Sequence, residues 1–588
     1  MQGTGRIILN DEETKSLARR LALENSVQHD GRAIPSVIVG KILASRVDLR
    51  TKAKELKDLV EEVVNEVNIL SLEEQKRLLG LQQEGTTQEK RIVERTEKLL
   101  PALPNAEKYA SIHVRFSPNP DGALHLGNAR AAILCDEYAK MYKGRCTLRF
   151  DDTDPKIKTP MIDAYEWIKE DLRWLGVTWH DVYYQSDRLR IYYGFIEKLL
   201  SDGNAYVCNC RSDDFRRLIT NKKPCPCRNL APEHHLERWN KMLDGSYVEG
   251  EVVVRVKTDL NHPNPAVRDW PAFRTIDVEK HPHPRTGSTF CVWPLFAFCC
   301  GIDDHELQIT HVIRGKEHMT NSVRQSYLYK HLGWVEPEAV HYGRLRIIGT
   351  VLSKSKMKEG LAQGVYSGWD DPRLGTLAAL RKRGFLPGTV RRLIVDVGPK
   401  PVDATISWVN VESMNRKLLD PIASRYFFVA DPILMRVTEL THPFSARLKL
   451  NPNDQKMGYR QMNIVPDGGE ASILVSKRDD ELLTPGAQIR LMELFNVQVE
   501  ARNDGVLARF TGESYQEARE QKTPLIHWVP SGEAVPTKII MPDATILKGL
   551  AESTCLTLKT NDIIQFERFG FVRINAISSE IVACYAHR

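Results

Sequence analysis

Apolar positions along the chain change their period several times, and each change marks a different kind of element. Leu56, Leu59, Val60, Val63, Val64, Val67 and Leu70 recur at intervals of three and four with Lys and Glu between them. That spacing predicts a solvated helix with one buried face. A polar run at 82–90 and then Pro101 and Pro104 predict a boundary near residue 105. From residue 111 the period drops to two, where Ile112, Val114 and Phe116 alternate with polar residues as in a short strand. A Pro/Gly-rich loop at 118–122, a helix over 128–142, a second strand over 145–150 and an amphipathic helix over 162–175 follow. Strand, loop, helix and strand in that order predict an α/β unit on a parallel sheet, with its functional groups beyond the carboxyl ends of the strands.

Residues 205–300 are less regular and hold four clustered cysteines and a Pro/His-rich segment at 281–285. The pattern returns to the sheet at 308–314, and a helix follows through 326–332. In the last 180 or so residues, short β-rich runs at 426–430, 473–476, 489–499 and 563–574 are separated by Pro, Gly and Asp. These predict one or two antiparallel β-barrels.

Length and composition narrow the class without naming a chemistry. At 588 residues the chain is too long for one core, and the length prior asks for about four domains. With 42% hydrophobic and 27% charged residues, a mostly disordered, collagen-like or coiled-coil chain is excluded. No window of about 18 apolar residues occurs, so no membrane span is expected. The opening residues lack the apolar core of a signal peptide. Eleven cysteines, an odd number in a large chain, do not form a disulfide framework, so a reducing, cytoplasmic home is expected. The net charge of +6, from 82 Lys+Arg against 76 Asp+Glu, permits a nucleic-acid partner without arguing for one.

Two short motifs carry the chemistry. Leu124-His125-Leu126-Gly127-Asn128 opens a helix, where phosphate is favoured and a residue without a side chain admits a flat base. Val351-Leu352-Ser353-Lys354-Ser355-Lys356-Met357 sets a lysine between two small hydroxyls, suited to charge developing on a transferring phosphate. Alone, the first is equally a capping turn and the second a basic surface loop. In this order on an α/β pattern, they resemble the HIGH and KMSKS signatures of class I aminoacyl-tRNA synthetases. The first departs at Asn128, and the second has Val351 and Leu352 in its opening places. RFSPNPDG at 115–122, LRFDDTDP at 148–155, THVIRGKEH at 310–318 and GWDDPRL at 368–374 resemble the glutamyl/glutaminyl subfamily, in its archaeal-type glutamyl branch.

The resemblance implies a Rossmann-type catalytic domain with an inserted acceptor-binding domain, an N-terminal helical domain and C-terminal β-barrels that read the anticodon. The boundaries expected are 1–105 for the helical domain, 106–204 for the first Rossmann half and 205–300 for the insert. The second half with the LSKSK loop is expected over 301–410, and the barrels over 411–588. It further implies that glutamate is joined to ATP, with Mg2+, and passed to the 2′-hydroxyl of the terminal adenosine of tRNA(Glu), with tRNA(Gln) as a second candidate. By position, His125, Gly127 and Asn128 lie at ATP, and Lys354, flanked by Ser353 and Ser355, stabilises the pyrophosphate. Arg115, Ser117, Asn119, Asp151 and Arg314 surround the amino acid. Asp151 suits its ammonium, and Arg115 and Arg314 are the candidate partners of its side-chain carboxylate. Phe296 falls where relatives usually have a tyrosine.

Glutaminyl relatives usually read PPEPNG for residues 117–122, DDTNP for 151–155, and carry a cysteine at the position of Arg314. All three blocks here favour glutamate over the glutaminyl alternative. A catalytically dead tRNA-binding scaffold is the reading from another class, and the intact His125, Gly127 and Lys354 oppose it. Cys208, Cys210, Cys225 and Cys227 form a C-x-C…C-x-C pair suited to one tetrahedral zinc, with free buried thiols the alternative. Residues 37–50 resemble helical tRNA-affinity modules of related synthetases. Arg490, Arg502, Arg509, Lys538, Arg568 and Arg573 are spread over the C-terminal region as phosphate-binding groups, or any solvated barrel, would be.

Overall fold

The computed structural model describes residues 12–28, 31–45, 53–75, 78 and 100–588. The polar run at 82–90 and part of the 37–50 segment lie outside the described residues. Two compact units divide the chain, Met1–Leu99 and Leu100–Arg588.

The first unit packs helices Glu12–Gln28, Pro35–Ser45 and Ala53–Asn68. The expected stripe buries Leu56, Val60, Val63, Val64 and Val67 against Ala18, Ala22, Leu23, Ile38 and Ile42. Asn68 closes the unit, its Oδ1 accepting the Ala33 N–H at 2.7 Å.

The second unit is built on strands β1 (His113–Phe116), β2 (Arg145–Phe150) and β3 (Asp181–Tyr184). An insert follows, with strands β4 (Ala205–Cys208), β5 (Val253–Val256), β6 (Pro271–Thr275) and β7 (Val292–Pro294) in one antiparallel sheet. The chain then returns as β8 (His311–Gly315) and β9 (Glu338–Tyr342). The main sheet is wholly parallel and runs β3-β2-β1-β8-β9. Its order reverses between β1 and β8, which opens a crevice beyond their carboxyl ends. Val114, Phe116, Leu148, Phe150 and Ile313 are buried with Leu126, Ile133 and Leu134 of the helix that follows β1. That helix spans Leu126–Met141, two residues earlier than the period suggests, because His125 supplies the cap.

Beyond helix Trp408–Leu419 lie two seven-stranded sheets. Alternation divides one short segment between two cores: Phe427 and Val429 enter one, and Tyr426, Phe428 and Ala430 the other. The sheets are mixed rather than purely antiparallel, since Pro432–Thr438 pairs in parallel with Val506–Gly512, and Val535–Ile540 with Ile581–His587. The run expected at 489–499 is broken into Gln488–Leu491 and Asn496–Arg502, and that at 563–574 into Ile563–Phe566 and Gly570–Ile577, because each holds a hairpin turn. Among the described residues, no helix is long and apolar enough to cross a membrane.

Candidate active site

A cavity of about 880 Å³ occupies the crevice at the sheet's reversal. Its lining includes Arg115, Ser117, Asn119, His125, Gly127, Asn128, Asp151, Phe296, Arg314, Lys354 and Ser355.

On one side, the helix start is organised by its own side chains. The Gly127 N–H donates to Nδ1 of His125 at 3.0 Å, and the His125 N–H donates to Oδ1 of Asn128 at 3.2 Å. Asn128 is thus a working cap where the family signature has histidine. A Cβ on Gly127 would lie 2.8 Å from the His125 ring, so the glycine first of all admits that ring. Burial, then the Lys354 charge, lowers His125 to about 3, which keeps the imidazole neutral near pH 7 with its proton on Nε2. Lys354 is not in a loop: Ser353 is the N-cap and Lys354 the first residue of helix Lys354–Ala362. Its Nζ donates to Oδ1 of Asp121 at 2.8 Å and to the Asn119 carbonyl at 3.0 Å. Burial holds the ammonium below its usual value, against the pull of Asp121.

The block at 368–374 braces both motifs. Trp369 packs where a Cβ on Gly122 would stand, 2.5 Å away, and Gly122 has φ +144°. The Leu126 N–H donates to the Gly375 carbonyl at 3.1 Å, the Leu377 N–H donates to the Leu124 carbonyl at 2.9 Å, and Val351 bridges Leu374.

The opposite side is a buried lattice of charges. Arg115, at the end of β1, donates through Nε and Nη2 to Asp304 at 3.0 and 3.2 Å. Arg149, fully buried on β2, donates to Asp304 at 2.8 Å and to Asp151 at 2.8 Å. Cys300 Sγ–H adds a bond to Asp151 at 3.2 Å. Burial raises Asp151 above the usual carboxylate value in spite of Arg149, whereas for Asp304 the arginines Arg115 and Arg149 outweigh burial and hold it below. Arg314 differs from its neighbours. Its Nη2 donates to Ser322 at 2.6 Å and Gln325 at 2.8 Å, but Nε and Nη1 are buried with no partner. Burial and the charge of Arg115 lower it to about 10. Oγ of Ser117 and Oδ1 of Asn119 are likewise buried and unpartnered. Phe296 lies against His318 in a tilted contact, with ring centroids 4.9 Å apart.

A profile described as tRNA synthetases class I (E and Q), catalytic domain, matches residues 111–421. The chain belongs to that family. Anti-codon binding domain profiles of the same class I group match 423–511 and 525–575. The glutamate–tRNA ligase of Pyrococcus furiosus is 52% identical over 98% of this chain and 100% of its own. The ligases of Thermococcus kodakarensis and Methanopyrus kandleri are 51% and 45% identical, each over 98% of this chain and 100% of theirs.

Away from the cavity of this class I synthetase, the four knuckle cysteines converge. Their Sγ atoms all lie within 4.8 Å of one another, with Cys208–Cys225 at 3.8 Å and Cys210–Cys227 at 3.9 Å. A tetrahedron of sulfurs about 2.3 Å from zinc has edges of about 3.8 Å, so the donor set fits that ion. Arg238 Nη1 lies 3.5 Å from Cys227 Sγ, a countercharge for thiolate. The six C-terminal cations already have partners: Arg502 with Asp480, Arg509 with Glu500, Lys538 with Glu580, Arg568 with Asp479, and Arg490 and Arg573 with Asn496 and Asn561. Four are thus paired with carboxylates, and Arg490 and Arg573 are bonded to neutral amides.

Sequence reasoning missed Arg149, Asp304, Ser322 and Gln325. Arg149 stood inside a quoted motif with no role attached. The pair Asp303-Asp304, directly after the apolar run 296–302 of its helix, was the available signal for the second, since adjacent buried carboxylates demand cations.

Proposed function

We propose that this synthetase is a cytoplasmic glutamate–tRNA ligase. It joins glutamate to ATP, which enters with Mg2+, and passes the activated carboxyl to the 2′-hydroxyl of the terminal adenosine of tRNA(Glu). The observation that carries the reading is Arg314: a buried guanidinium with two N–H-bearing nitrogens unpartnered in the cavity. A buried cation left so is costly by several kcal/mol, and the carboxylate of a glutamate side chain supplies charge and two acceptors at once. Arg115 has its Nε and Nη2 committed to Asp304, so Arg314 is the stronger of the two candidates. A neutral glutamine amide would leave it uncompensated.

Ser117 and Asn119, with their unpartnered oxygens, suit the donors of the amino acid, Asp151 its ammonium, and Phe296 its apolar stem. Neutral His125 donates from Nε2 toward the reacting phosphate, with Gly127 and Asn128 holding the ring in place. Lys354, between Ser353 and Ser355, exchanges Asp121 for the departing pyrophosphate. Cys208, Cys210, Cys225 and Cys227 hold one structural zinc, which fixes the knuckle of the insert.

Pyrophosphate exchange in the presence of tRNA tests the reading. Glutamate supports exchange far better than glutamine, and Arg314→Gln lowers the preference roughly a hundredfold. An equal or reversed response would favour a glutaminyl enzyme. No exchange in either wild type or Lys354→Ala would favour a scaffold. Charging of both transcripts by one preparation decides whether tRNA(Gln) is also an acceptor. Metal analysis finds about one zinc per chain, and less than about half an equivalent overturns the zinc site.

A further inference from the structure

The Pro/His-rich segment at 281–285 belongs to the insert between β6 and β7, yet it reaches the amino-acid side of the cavity. A tight turn closed by backbone bonds between His283 and Gly287, at 3.0 and 2.8 Å, presents the His283 ring. The ring is wholly buried against Trp293, with centroids 5.0 Å apart. Its Nδ1 accepts the Arg285 N–H at 3.2 Å, so the proton is on Nε2, which donates to the carbonyl oxygen of Asp152 at 2.8 Å. The Asp152 carboxylate is held from the Rossmann side, by Tyr165 Oη–H at 2.7 Å and by the Ser186 N–H and Oγ–H at 2.8 Å each. Two further ties run from the insert to the same loop: Arg274 to Asp154 at 2.6 Å, and Glu249 to Lys156. The turn that carries Asp151 is therefore clamped between two domains: the Asp152 carboxylate is hydrogen-bonded from the Rossmann side, with Arg285 of the insert 4.0 Å away, and the Asp152 carbonyl is bonded from the insert.

We propose that His283 is a positioning residue for the amino-acid pocket: its Nε2–H, bonded to the Asp152 carbonyl, fixes the turn that presents Asp151. The inference rests on the reading of Asp151 as the partner of the glutamate ammonium. It makes the insert a determinant of glutamate affinity. The His125 and Lys354 motifs stand on other loops; the Asp151 turn is joined to the 118–121 loop under Lys354 through the Asp151 N–H and the Pro118 carbonyl, at 3.0 Å, so the effect on ATP affinity is the smaller one.

The test is steady-state pyrophosphate exchange by the full-length protein with tRNA, for His283→Ala, His283→Gln and His283→Asn beside Asp151→Asn. His283→Ala raises KM for glutamate about tenfold, because a buried carbonyl loses its donor, and leaves KM for ATP within about twofold. Gln restores the glutamate KM, since its amide nitrogen reaches the place of Nε2; Asn is too short and does not. An unchanged glutamate KM in the alanine variant, a parallel rise of both KM values, or equal values for Gln and Asn overturns the role of His283. Should the alanine variant fail to fold, the comparison of Gln with Asn decides alone. A glutamate KM raised in His283→Ala but unchanged in Asp151→Asn overturns the Asp151 reading instead.

Discussion

The two sides of one cavity are built on opposite principles. On the side proposed for the amino acid, Arg115, Arg149, Asp151 and Asp304 are each at most 7% exposed and share a continuous run of charged hydrogen bonds. No member can move without leaving a buried charge unpaired, so the geometry is set before any ligand arrives. On the side proposed for the nucleotide, a half-buried His125 caps a helix, and Lys354 rests on a single carboxylate, Asp121. That one ion pair is exchangeable for a phosphate at little structural consequence. On the proposed reading, a small charged side chain would be recognised by a rigid frame, and a leaving group that forms only during reaction would be met by a cation free to change partners.

Cutting the lattice breaks the contrast most severely. Asp304→Asn leaves Arg115 and Arg149 short of one charge and lowers the unfolding free energy by about 3–5 kcal/mol, read by denaturant titration near pH 7. The native carboxyl of Asp304 is depressed, so its contribution is complete above the unfolded value and is lost as pH falls through the native one. The gap between wild type and variant therefore narrows below about pH 4; a gap independent of pH would show that charge is not the cause. Lys354→Ala spares stability and lowers kcat for exchange about 10²- to 10³-fold with little change in KM for glutamate. Comparable losses in Tm and kcat would make Lys354 part of the frame after all. Asp121→Asn has the smallest effect. Removing the carboxylate of a pair whose side chains are each 14% exposed is worth about 1–2 kcal/mol, and exchange rises or falls only a few-fold, whereas a collapse equal to that of Lys354→Ala would show the pair to be fixed.

Much of the frame was readable from local pattern. The bounds of β2 coincide with the strand expected over 145–150, and the stripe from Leu56 to Val67 is the buried face of its helix. Boundaries failed where more than apolar period decided them. The His125 side chain started its helix two residues early by capping it, and a helix begins at Lys354, after Ser353 and without a side-chain cap bond, where a loop was expected. The β-rich region misled in a different way: period two shows which residues face inward, but two strands and their turn can share one apolar run, as 489–499 does. The motif residues His125, Lys354, Asp151 and Arg314 are gathered around one cavity although up to 229 positions separate them. Their roles were suggested by resemblance, while the difference between Arg115, already paired, and Arg314, still open, came only from geometry.

By itself, then, the sequence determined the class of each segment, the order of the parts and the identity of the motif-bearing residues, because period, caps and turn chemistry act between near neighbours. Tertiary structure alone decided which charges meet. Asp304 reaches Arg115 across 189 residues and His283 reaches Asp152 across 131. Such pairs depend on how the insert and the second half of the sheet return to the first, and burial then converts proximity into strong coupling, since in a low-dielectric interior a charge or a carbonyl must find its partner wherever in the chain that partner lies.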